Sequence, residues 1–311
     1  MEPSPSPSSR ARLVVAVLTA LGLPAVTACG DDGATSGPDA AAGGPDADSS
    51  GQRTLDSCTT TIAPAAPEFY QRYFRCVTIT TSATGVTITT NNLPPHPSPY
   101  YVSTDPNYVA FDARGGSYHK NPNTITGQSS SVTIPITPTA SGATINATTV
   151  DGQAGTSQEE YRGGIAGMAL DSVQLFSGTA APGDDIAQER FTFDRYEGHP
   201  QNTGVYHYHS PTPGPLEALK KAGETTSTVP GAAEAELFGI MCDGTVILGC
   251  TELDGTAPPA TLDAQGGHVG NLVAHDGTTM FTARYHTHVC ANPTRGHGYT
   301  PEIHYYAACP R

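Results

Sequence analysis

The chain has 311 residues, and only 14% of them are charged, whereas charged residues usually make up about a quarter of a soluble domain. A net charge of −14 argues against binding to nucleic acid or docking on anionic lipid through a basic patch, and 34 Gly with 27 Pro argue against a mostly helical protein. The 11 His stand out against only 15 Lys and Arg.

The N-terminus predicts a lipoprotein signal peptide over residues 1–28. Arg10 and Arg12 form a positive region, and the apolar stretch that follows is too short to span a bilayer comfortably. The small residues that lead to Cys29 resemble the lipobox of bacterial lipoproteins, and this resemblance implies that Cys29 is the lipidated first residue of the mature chain. An ordinary secretory signal, cleaved near Ala28, is the alternative.

Residues 29–53 are predicted to be a flexible tether after the lipidated cysteine, because they are rich in Gly, Asp, Ala, Ser and Pro. Residues 54–311 then form the folded part, a single β domain. The expected location is the bacterial cell envelope, with the domain anchored through lipid and facing the periplasm or the surface.

Six cysteines remain after Cys29, an even number that is typical of disulfides in an exported protein. Six cysteines allow 15 pairings, and the sequence cannot choose among them. Our expectation is the local set, Cys58–Cys76, Cys242–Cys250 and Cys290–Cys309. A thiolate metal site is the rival reading, although the chain has no Cys-x-x-Cys motif.

The pattern of residues predicts a mainly β, sandwich-like domain with one short helix. Alternating Thr and apolar residues over 76–81 and 86–90 predict a hairpin, and residues 131–136 predict another strand, with Pro135 indicating a sheet edge. The one predicted helix covers residues 216–222, opened by Pro215 and closed by Gly223.

A weak internal repeat is predicted within residues 165–290. The first copy consists of residues 167–171, 193–199 and 206–209, and the second consists of residues 239–243, 262–268 and 285–288. Each copy presents Gly-x-x-x-Asp, then Asp followed by Gly-His, then Tyr-His-x-His. Similar composition of unrelated hairpins is the alternative explanation.

The two His-x-His pairs, His207 with His209 and His286 with His288, predict metal ligands. Residues i and i+2 of a strand point to the same face, about 6.5 Å apart, so two imidazoles can reach one ion. The adjacent tyrosines Tyr206, Tyr208 and Tyr285 would then pack into the core from the opposite face. The alternative is a polar surface or a pair of core histidines bonded to carbonyls.

Each pair is preceded by a Gly-His, which adds His199 and His268 on turns that lead into the strands. The six histidines are therefore the candidate ligands of one or two sites for zinc or copper, since three imidazoles with an open position suit these ions. Asp194 and Asp263 are candidates for orienting an imidazole through its other N–H, or else for capping a loop.

The segment over residues 198–209, which ends in Tyr-His-Tyr-His, resembles the hallmark of the YHYH-domain proteins. This family contains bacterial envelope proteins and eukaryotic secreted proteins. Supporting blocks are residues 92–96, 121–123, 238–244 and 262–268, so that the resemblance covers about residues 77–290. It implies membership of a family without a defined reaction. The second copy departs at Thr287, where the second Tyr is replaced while both His are kept.

We therefore expect a metal-binding envelope lipoprotein, with a metal ion and the membrane as its partners and no nucleic acid. A metal-dependent hydrolase or oxidoreductase, with a His or Asp as general base, is the first alternative. A surface module that recognises glycan or protein, with structural His, is the second. Its only sequence hint is the loop that carries Tyr100, Tyr101 and Tyr108.

Overall fold

The computed structural model describes residues 51–150, 165–180, 186–290, 298–307 and 309. The predicted signal peptide, Cys29 and the tether up to residue 50 lie outside these residues. The strands, in chain order, are β1 (Thr61–Ile62), β2 (Thr78–Thr81), β3 (Gly85–Thr90), β4 (Ser130–Pro135), β5 (Gly167–Ala169), β6 (Gln174–Leu175), β7 (Gly198–Pro200), β8 (Tyr206–Tyr208), β9 (Leu237–Met241), β10 (Val246–Leu248), β11 (Gly267–Val273) and β12 (Thr279–His288).

The helices are short. They are α1 (Glu68–Tyr73), α2 (Ala147–Val150), α3 (Ile186–Glu189), which continues into a 3-10 turn (Arg190–Thr192), and α4 (Pro213–Lys221). Among the described residues, none of these is long and apolar enough to cross a membrane.

Two sheets carry the fold. The small sheet has the order β1-β2-β3-β4, and the large sheet has the order β11-β12-β10-β9-β5-β6-β8-β7. One buried apolar core contains residues of both sheets, such as Ile79 and Ile88 of the small sheet with Met168 and Ile240 of the large one. The prediction of a mainly β, sandwich-like domain is confirmed.

The small sheet confirms the predicted hairpin, since β2 and β3 pair antiparallel with Ile79 opposite Ile88. Both isoleucines are buried, whereas the flanking threonines Thr78 and Thr80 are exposed. This alternation is typical of a sheet that has one buried face and one face exposed to solvent. Pro135 is the last residue of β4, which is an edge strand of the sheet. Proline has no backbone N–H to donate, and an edge strand tolerates this because one of its sides has no neighbouring strand.

The predicted helix corresponds to α4, which begins three residues earlier, at Pro213, and ends before Gly223 at φ +85°. The sequence analysis missed α1. Its Phe69, Tyr70 and Tyr73 are buried against the core, and such aromatic residues favour strands when judged by propensity alone.

The predicted internal repeat is present in the pairing of the large sheet. Hairpin β5-β6 corresponds to hairpin β9-β10, and each is extended by a parallel strand, β8 beside β6 and β12 beside β10. The two halves meet where β5 pairs antiparallel with β9, and there Met168 lies opposite Ile240, its own equivalent in the repeat. A local two-fold axis therefore passes through this pair and relates the two halves of the sheet.

The disulfides are Cys58–Cys76, Cys242–Cys309 and Cys250–Cys290. The first confirms the expected pairing, but the expected pairs Cys242–Cys250 and Cys290–Cys309 are wrong. Cys242 lies at the turn between β9 and β10, whereas Cys250 lies beyond the far end of β10, so the length of a strand separates them. Three disulfides indicate folding in an oxidising compartment.

Candidate metal centres

Three histidines of the first repeat meet at the β7-β8 edge of the large sheet. His199 of β7 pairs directly opposite His207 of β8, and His209 follows two residues later on the same face. The Nε2 atom of His207 lies 3.1 Å from that of His199 and 3.0 Å from that of His209. The predicted same-face geometry is confirmed, but His199 lies within a strand rather than on a turn.

The opposite ring nitrogens fix which atom can bind an ion. The Nδ1 atoms of His207 and His209 lie 3.0 Å and 2.6 Å from the carbonyl oxygens of Val205 and Ser177. Because a carbonyl oxygen can only accept, each Nδ1 carries the proton, and in a neutral ring the lone pair is on Nε2.

The third ring is held through a hydroxyl. Thr192 donates its proton to the carbonyl oxygen of Glu189, so its Oγ1 accepts from Nδ1 of His199 at 2.6 Å. The Nε2 lone pair of His199 is thereby directed toward the other two. Three convergent lone pairs, each backed by a hydrogen bond on the far nitrogen, are typical of metal ligands.

Burial keeps these rings neutral. The three residues are 2–3% exposed. Burial, followed by repulsion from His209, lowers the pKa of His199 to about 3, and burial lowers the pKa of His209 to about 4. The pKa of His207 falls well below its ordinary value for the same reason, with repulsion from its two neighbours added. At neutral pH the cluster therefore presents three uncharged donors to a cation.

The second repeat builds the same frame at the opposite edge of the sheet. His268 lies within β11 rather than on the predicted turn; it pairs opposite His286 of β12, and His288 follows on the same face. The Nδ1 atom of His286 bonds the carbonyl oxygen of Arg284, two residues back, as His207 bonds that of Val205. His288 bonds the carbonyl oxygen of Gly249, the repeat equivalent of Ser177.

A carboxylate completes the second cluster. Glu252 Oε1 lies 2.9 Å from Nε2 of His268 and 3.3 Å from that of His288, and Oε2 lies 3.1 Å from Nε2 of His286. Burial raises the pKa of Glu252, but the hydrogen bonds to His286 and His288 outweigh it, so its pKa lies well below the usual range. In the first cluster Glu189 Oε1 lies 3.3 Å from Nε2 of His199.

The sequence analysis missed both glutamates. Each comes from a segment outside the repeated blocks, Glu189 from the end of α3 and Glu252 from the loop between β10 and β11. Neither is adjacent in sequence to the histidines that it approaches. A sequence signal for them would have required knowledge of the loop paths.

Asp194 and Asp263 occupy equivalent places beneath the two clusters. Asp194 accepts hydrogen bonds from the hydroxyl of Tyr206 and the amide of Tyr196, and Asp263 accepts from the hydroxyl of Tyr285 and the amide of Gln265. These contacts correspond to the loop-capping alternative. The Nδ1 atoms of five of the six histidines contact carbonyl oxygens or the hydroxyl of Thr192 instead.

Each of these tyrosines lies across the glycine of the Gly-His pair. A Cβ atom on Gly198 would lie 2.5 Å from the hydroxyl of Tyr206, and one on Gly267 would lie 2.0 Å from the hydroxyl of Tyr285. Only glycine leaves room for the ring, so the Gly-His pair and the Tyr-His-x-His segment are parts of one packing unit.

The upstream blocks brace the first cluster. The Asn92 side chain accepts from the amide of Gln174 and donates to the carbonyl oxygen of Tyr206, so it links β6 to β8. The side chains of Asn121 and Asn123 both donate to the carbonyl oxygen of Pro200, next to His199. These residues hold the backbone that carries the ligands.

The second tyrosine of the Tyr-His-Tyr-His segment belongs to a buried chain of polar groups. The hydroxyl of Tyr208 donates to Asp171 and lies 2.8 Å from Nε2 of His96. Burial raises the pKa of Asp171 to about 7. In the second copy Thr287 instead donates to the carbonyl oxygen of Gln265, so the change from Tyr to Thr leaves the His geometry intact.

The six predicted ligands form two centres and not one. Four strands separate β8 from β12, which puts the centres roughly 24 Å apart at about 4.8 Å per strand step. A third grouping, Cys242 and Cys309 with His304, offers no thiolate because the two sulfurs form a disulfide. Of the three tyrosines suggested as a recognition surface, Tyr100 and Tyr101 are 0% and 3% exposed and belong to the core, whereas Tyr108 is 39% exposed.

Both clusters could hold a metal ion. Ligands about 2.0–2.1 Å from a tetrahedral ion lie about 3.3–3.4 Å from one another. The Nε2–Nε2 distances of 3.0, 3.1 and 3.3 Å are close to this spacing.

The comparison with known families agrees with the hallmark segment. Residues 118–265 match the family described as YHYH protein, a narrower range than the sequence resemblance suggested. The match includes the three histidines of the first cluster and ends two residues before Gly267, so of the second cluster it contains Glu252 alone. No curated protein and no solved structure matches the chain. The chain therefore contains a YHYH domain over residues 118–265.

Proposed function

We propose that this protein is an envelope lipoprotein whose domain binds transition metal ions, zinc or copper, at two centres. The observation that supports binding is the convergence of three Nε2 lone pairs at each centre, with the far nitrogen held by a hydrogen bond on five of the six rings. In the general affinity order of divalent transition metal ions, Cu²⁺ binds imidazole ligands more strongly than Zn²⁺ does. Zinc fits the tetrahedral spacing of the ligand nitrogens.

Metal analysis of protein purified without a His tag tests this proposal. We expect about two ions per chain, falling to about one in His207→Ala/His209→Ala and to about one in His286→Ala/His288→Ala. His119→Ala, a change at an exposed histidine outside both clusters, is the matched control and should keep two. Wild-type protein with no more zinc or copper than the two double variants would refute metal binding.

The lipid anchor is a separate part of the proposal and rests on the sequence around Cys29. Fractionation of cells that express the full chain should place wild-type protein with the membranes and Cys29→Ser in the soluble fraction. Mass spectrometry of the mature N-terminus should show acyl chains on Cys29. An unmodified wild-type N-terminus in the soluble fraction would favour an ordinary secretory signal.

A further inference from the structure

One of the three disulfides has a histidine beside it. The sulfurs of Cys242 and Cys309 and one ring nitrogen of His304 all lie within 4.8 Å of one another. Among the described residues, neither Cys58–Cys76 nor Cys250–Cys290 belongs to a comparable grouping of cysteine, histidine and acidic side chains. The imidazole therefore distinguishes the Cys242–Cys309 disulfide from the other two.

The distance between His304 and Cys309 is already close to that of two ligands on one zinc ion. With Zn–S near 2.3 Å and Zn–N near 2.0–2.1 Å, a tetrahedral ion places a sulfur and a nitrogen about 3.5 Å apart. Nε2 of His304 lies 3.7 Å from Sγ of Cys309. Two sulfurs on one ion are about 3.8 Å apart, so the main movement required is the separation of the Cys242 and Cys309 sulfurs after their bond is broken.

The segment that carries His304 is held by contacts that do not involve the disulfide. Before His304, the side chain of Gln265 donates to the carbonyl oxygen of Ile303 and accepts from its amide, at 3.1 and 3.0 Å. After His304, the amide of Tyr306 donates to the buried carboxylate of Asp243 at 3.1 Å. Reduction of the disulfide therefore leaves the imidazole in place and keeps the two cysteines near each other.

Burial and charge also suit a zinc ion at this position. Cys242 and His304 are 5% and 8% exposed, and a buried charge without compensation is costly. Two thiolates cancel the double charge of Zn²⁺, so the ion would not be left uncompensated. Cys309 is partly exposed, which gives an external reductant access to its sulfur.

We propose that reduction of the Cys242–Cys309 disulfide creates a third metal site, in which Cys242, His304 and Cys309 bind one zinc ion. A dithiol reductant attacks Sγ of Cys309, and Cys242 leaves as a thiolate. The second thiol of the reductant then attacks the mixed disulfide and releases Cys309. Two electrons and two protons pass to the protein, the reductant becomes a disulfide, and zinc displaces the two protons from the cysteines.

The disulfide and the zinc ion are thus alternative links between the end of β9 and the C-terminal segment. The inference does not depend on metal at the other two sites. These are the three-histidine centre, made by His199, His207 and His209, and the Glu252 centre, made by Glu252, His268, His286 and His288. Neither contains a sulfur ligand, so a thiolate signal distinguishes the third site from both.

Cobalt substitution of the full-length protein tests the inference, because charge transfer from thiolate to Co²⁺ absorbs in the near ultraviolet and imidazole ligands give no comparable band. Protein reduced with dithiothreitol and then freed of it under argon should show this band and bind about one Co²⁺ more than oxidised protein. Cys242→Ser/Cys309→Ser, reduced in the same way, keeps four other cysteines and should show neither. In reduced protein, His304→Ala should weaken this binding by about tenfold or more, whereas His119→Ala should not change it.

Cys309→Asp decides the question if the fully reduced chain fails to fold, which circular dichroism reports. It replaces the more exposed sulfur with a carboxylate and keeps the other two disulfides, so it should show the thiolate band through Cys242 without any reductant. A folded, reduced wild type without the band overturns the inference, as does a band of equal size in reduced Cys242→Ser/Cys309→Ser. If reduced wild type unfolds, absence of the band in Cys309→Asp overturns it. Cobalt at the two histidine centres is counted in oxidised wild type, so failure of the proposed function is measured separately.

Discussion

Tyr206 and Gly198 illustrate how single residues set the ligand geometry. An added Cβ at Gly198 would lie 2.5 Å from the tyrosine ring, whose hydroxyl is fixed by Asp194. We predict that Gly198→Ala lowers the free energy of unfolding by about 1–3 kcal/mol, the usual cost of overpacking. Urea denaturation measures the change.

Gly127→Ala provides the matched control. A Cβ there would meet Leu93 at 3.7 Å, which is an ordinary contact. Its unfolding free energy should stay within about 0.5 kcal/mol of wild type. Equal losses at Gly198 and Gly127 would show that the packing of the tyrosine on the glycine does not matter.

The buried ring of His96 gives stability a dependence on pH. Burial lowers the pKa of His96 to about 3 in the folded chain, whereas an unfolded histidine has a pKa near 6.5. Between these values the unfolded state binds more protons, so this contribution is complete above about pH 6.5 and is lost as the pH falls toward 3.

We therefore predict that metal-free wild type loses stability on acidification more steeply than His96→Asn. The difference in slope should approach 1.4 kcal/mol per pH unit between about pH 6 and pH 4. Urea denaturation at a series of pH values gives both slopes. Parallel curves for the two proteins would contradict the assignment.

The six histidines could be predicted from sequence because each lies on a short local pattern. His207 and His209 share a face by strand geometry alone, and Gly198 leaves the room that Tyr206 needs. Glu252 could not be predicted, since its position depends on the path of the loop that carries it. Side chains within one strand can therefore be placed from their spacing in the sequence, whereas side chains that loops bring to the cluster cannot.

At the scale of elements, the disulfide Cys250–Cys290 secures one centre. It joins the residues that follow β10 and β12, close to Glu252 and His288. The bridge closes a separation of 40 residues, for which the chain-entropy model gives about 4 kcal/mol. We predict that Cys250→Ser/Cys290→Ser loses roughly 3–4 kcal/mol of unfolding free energy and weakens metal binding at the Glu252 centre.

The control is Cys58→Ser/Cys76→Ser, which removes a bridge with a separation of 18 residues in the small-sheet region. Its stability should also fall, by roughly 3 kcal/mol, while metal affinity stays at the wild-type value. Calorimetric titration with Zn²⁺ distinguishes the two variants. Equal affinity in both would show that the bridge beside Glu252 does not position the ligands.

Elements with a clear alternation could be predicted, as in β2, β3 and β4. The pairing of the cysteines could not be predicted, because it depends on which ends of which strands lie next to each other in the sheet. The β9-β10 hairpin sends Cys242 and Cys250 to opposite ends, and only the sheet order brings Cys290 beside Cys250. Proximity along the chain was therefore a poor guide to proximity in the fold.

At the scale of the whole molecule, the joint between β5 and β9 should affect both centres. A Cβ on Gly239 would lie 2.3 Å from the carbonyl oxygen of Met168, a backbone atom held in the ladder. We predict that Gly239→Ala lowers stability by about 2–3 kcal/mol and weakens Zn²⁺ binding at both centres.

Gly198→Ala, by contrast, should weaken binding at the three-histidine centre alone. Titration of each glycine variant in the two double-histidine backgrounds reports the centres one at a time. Loss at a single centre in Gly239→Ala would contradict the view that the central pair supports both halves.

The local two-fold axis through Met168 and Ile240 has a consequence for how this protein can change. In a symmetric homodimer every mutation appears at both sites, so a residue that suits one chemistry is imposed on both. Here the two hairpin units lie in one chain, and each can mutate alone. Glu252 lies beside one set of three histidines, and Phe176 and Phe193 lie beside the other. One copy of the repeat can therefore keep its residues and stabilise the sheet while substitutions accumulate in the other copy.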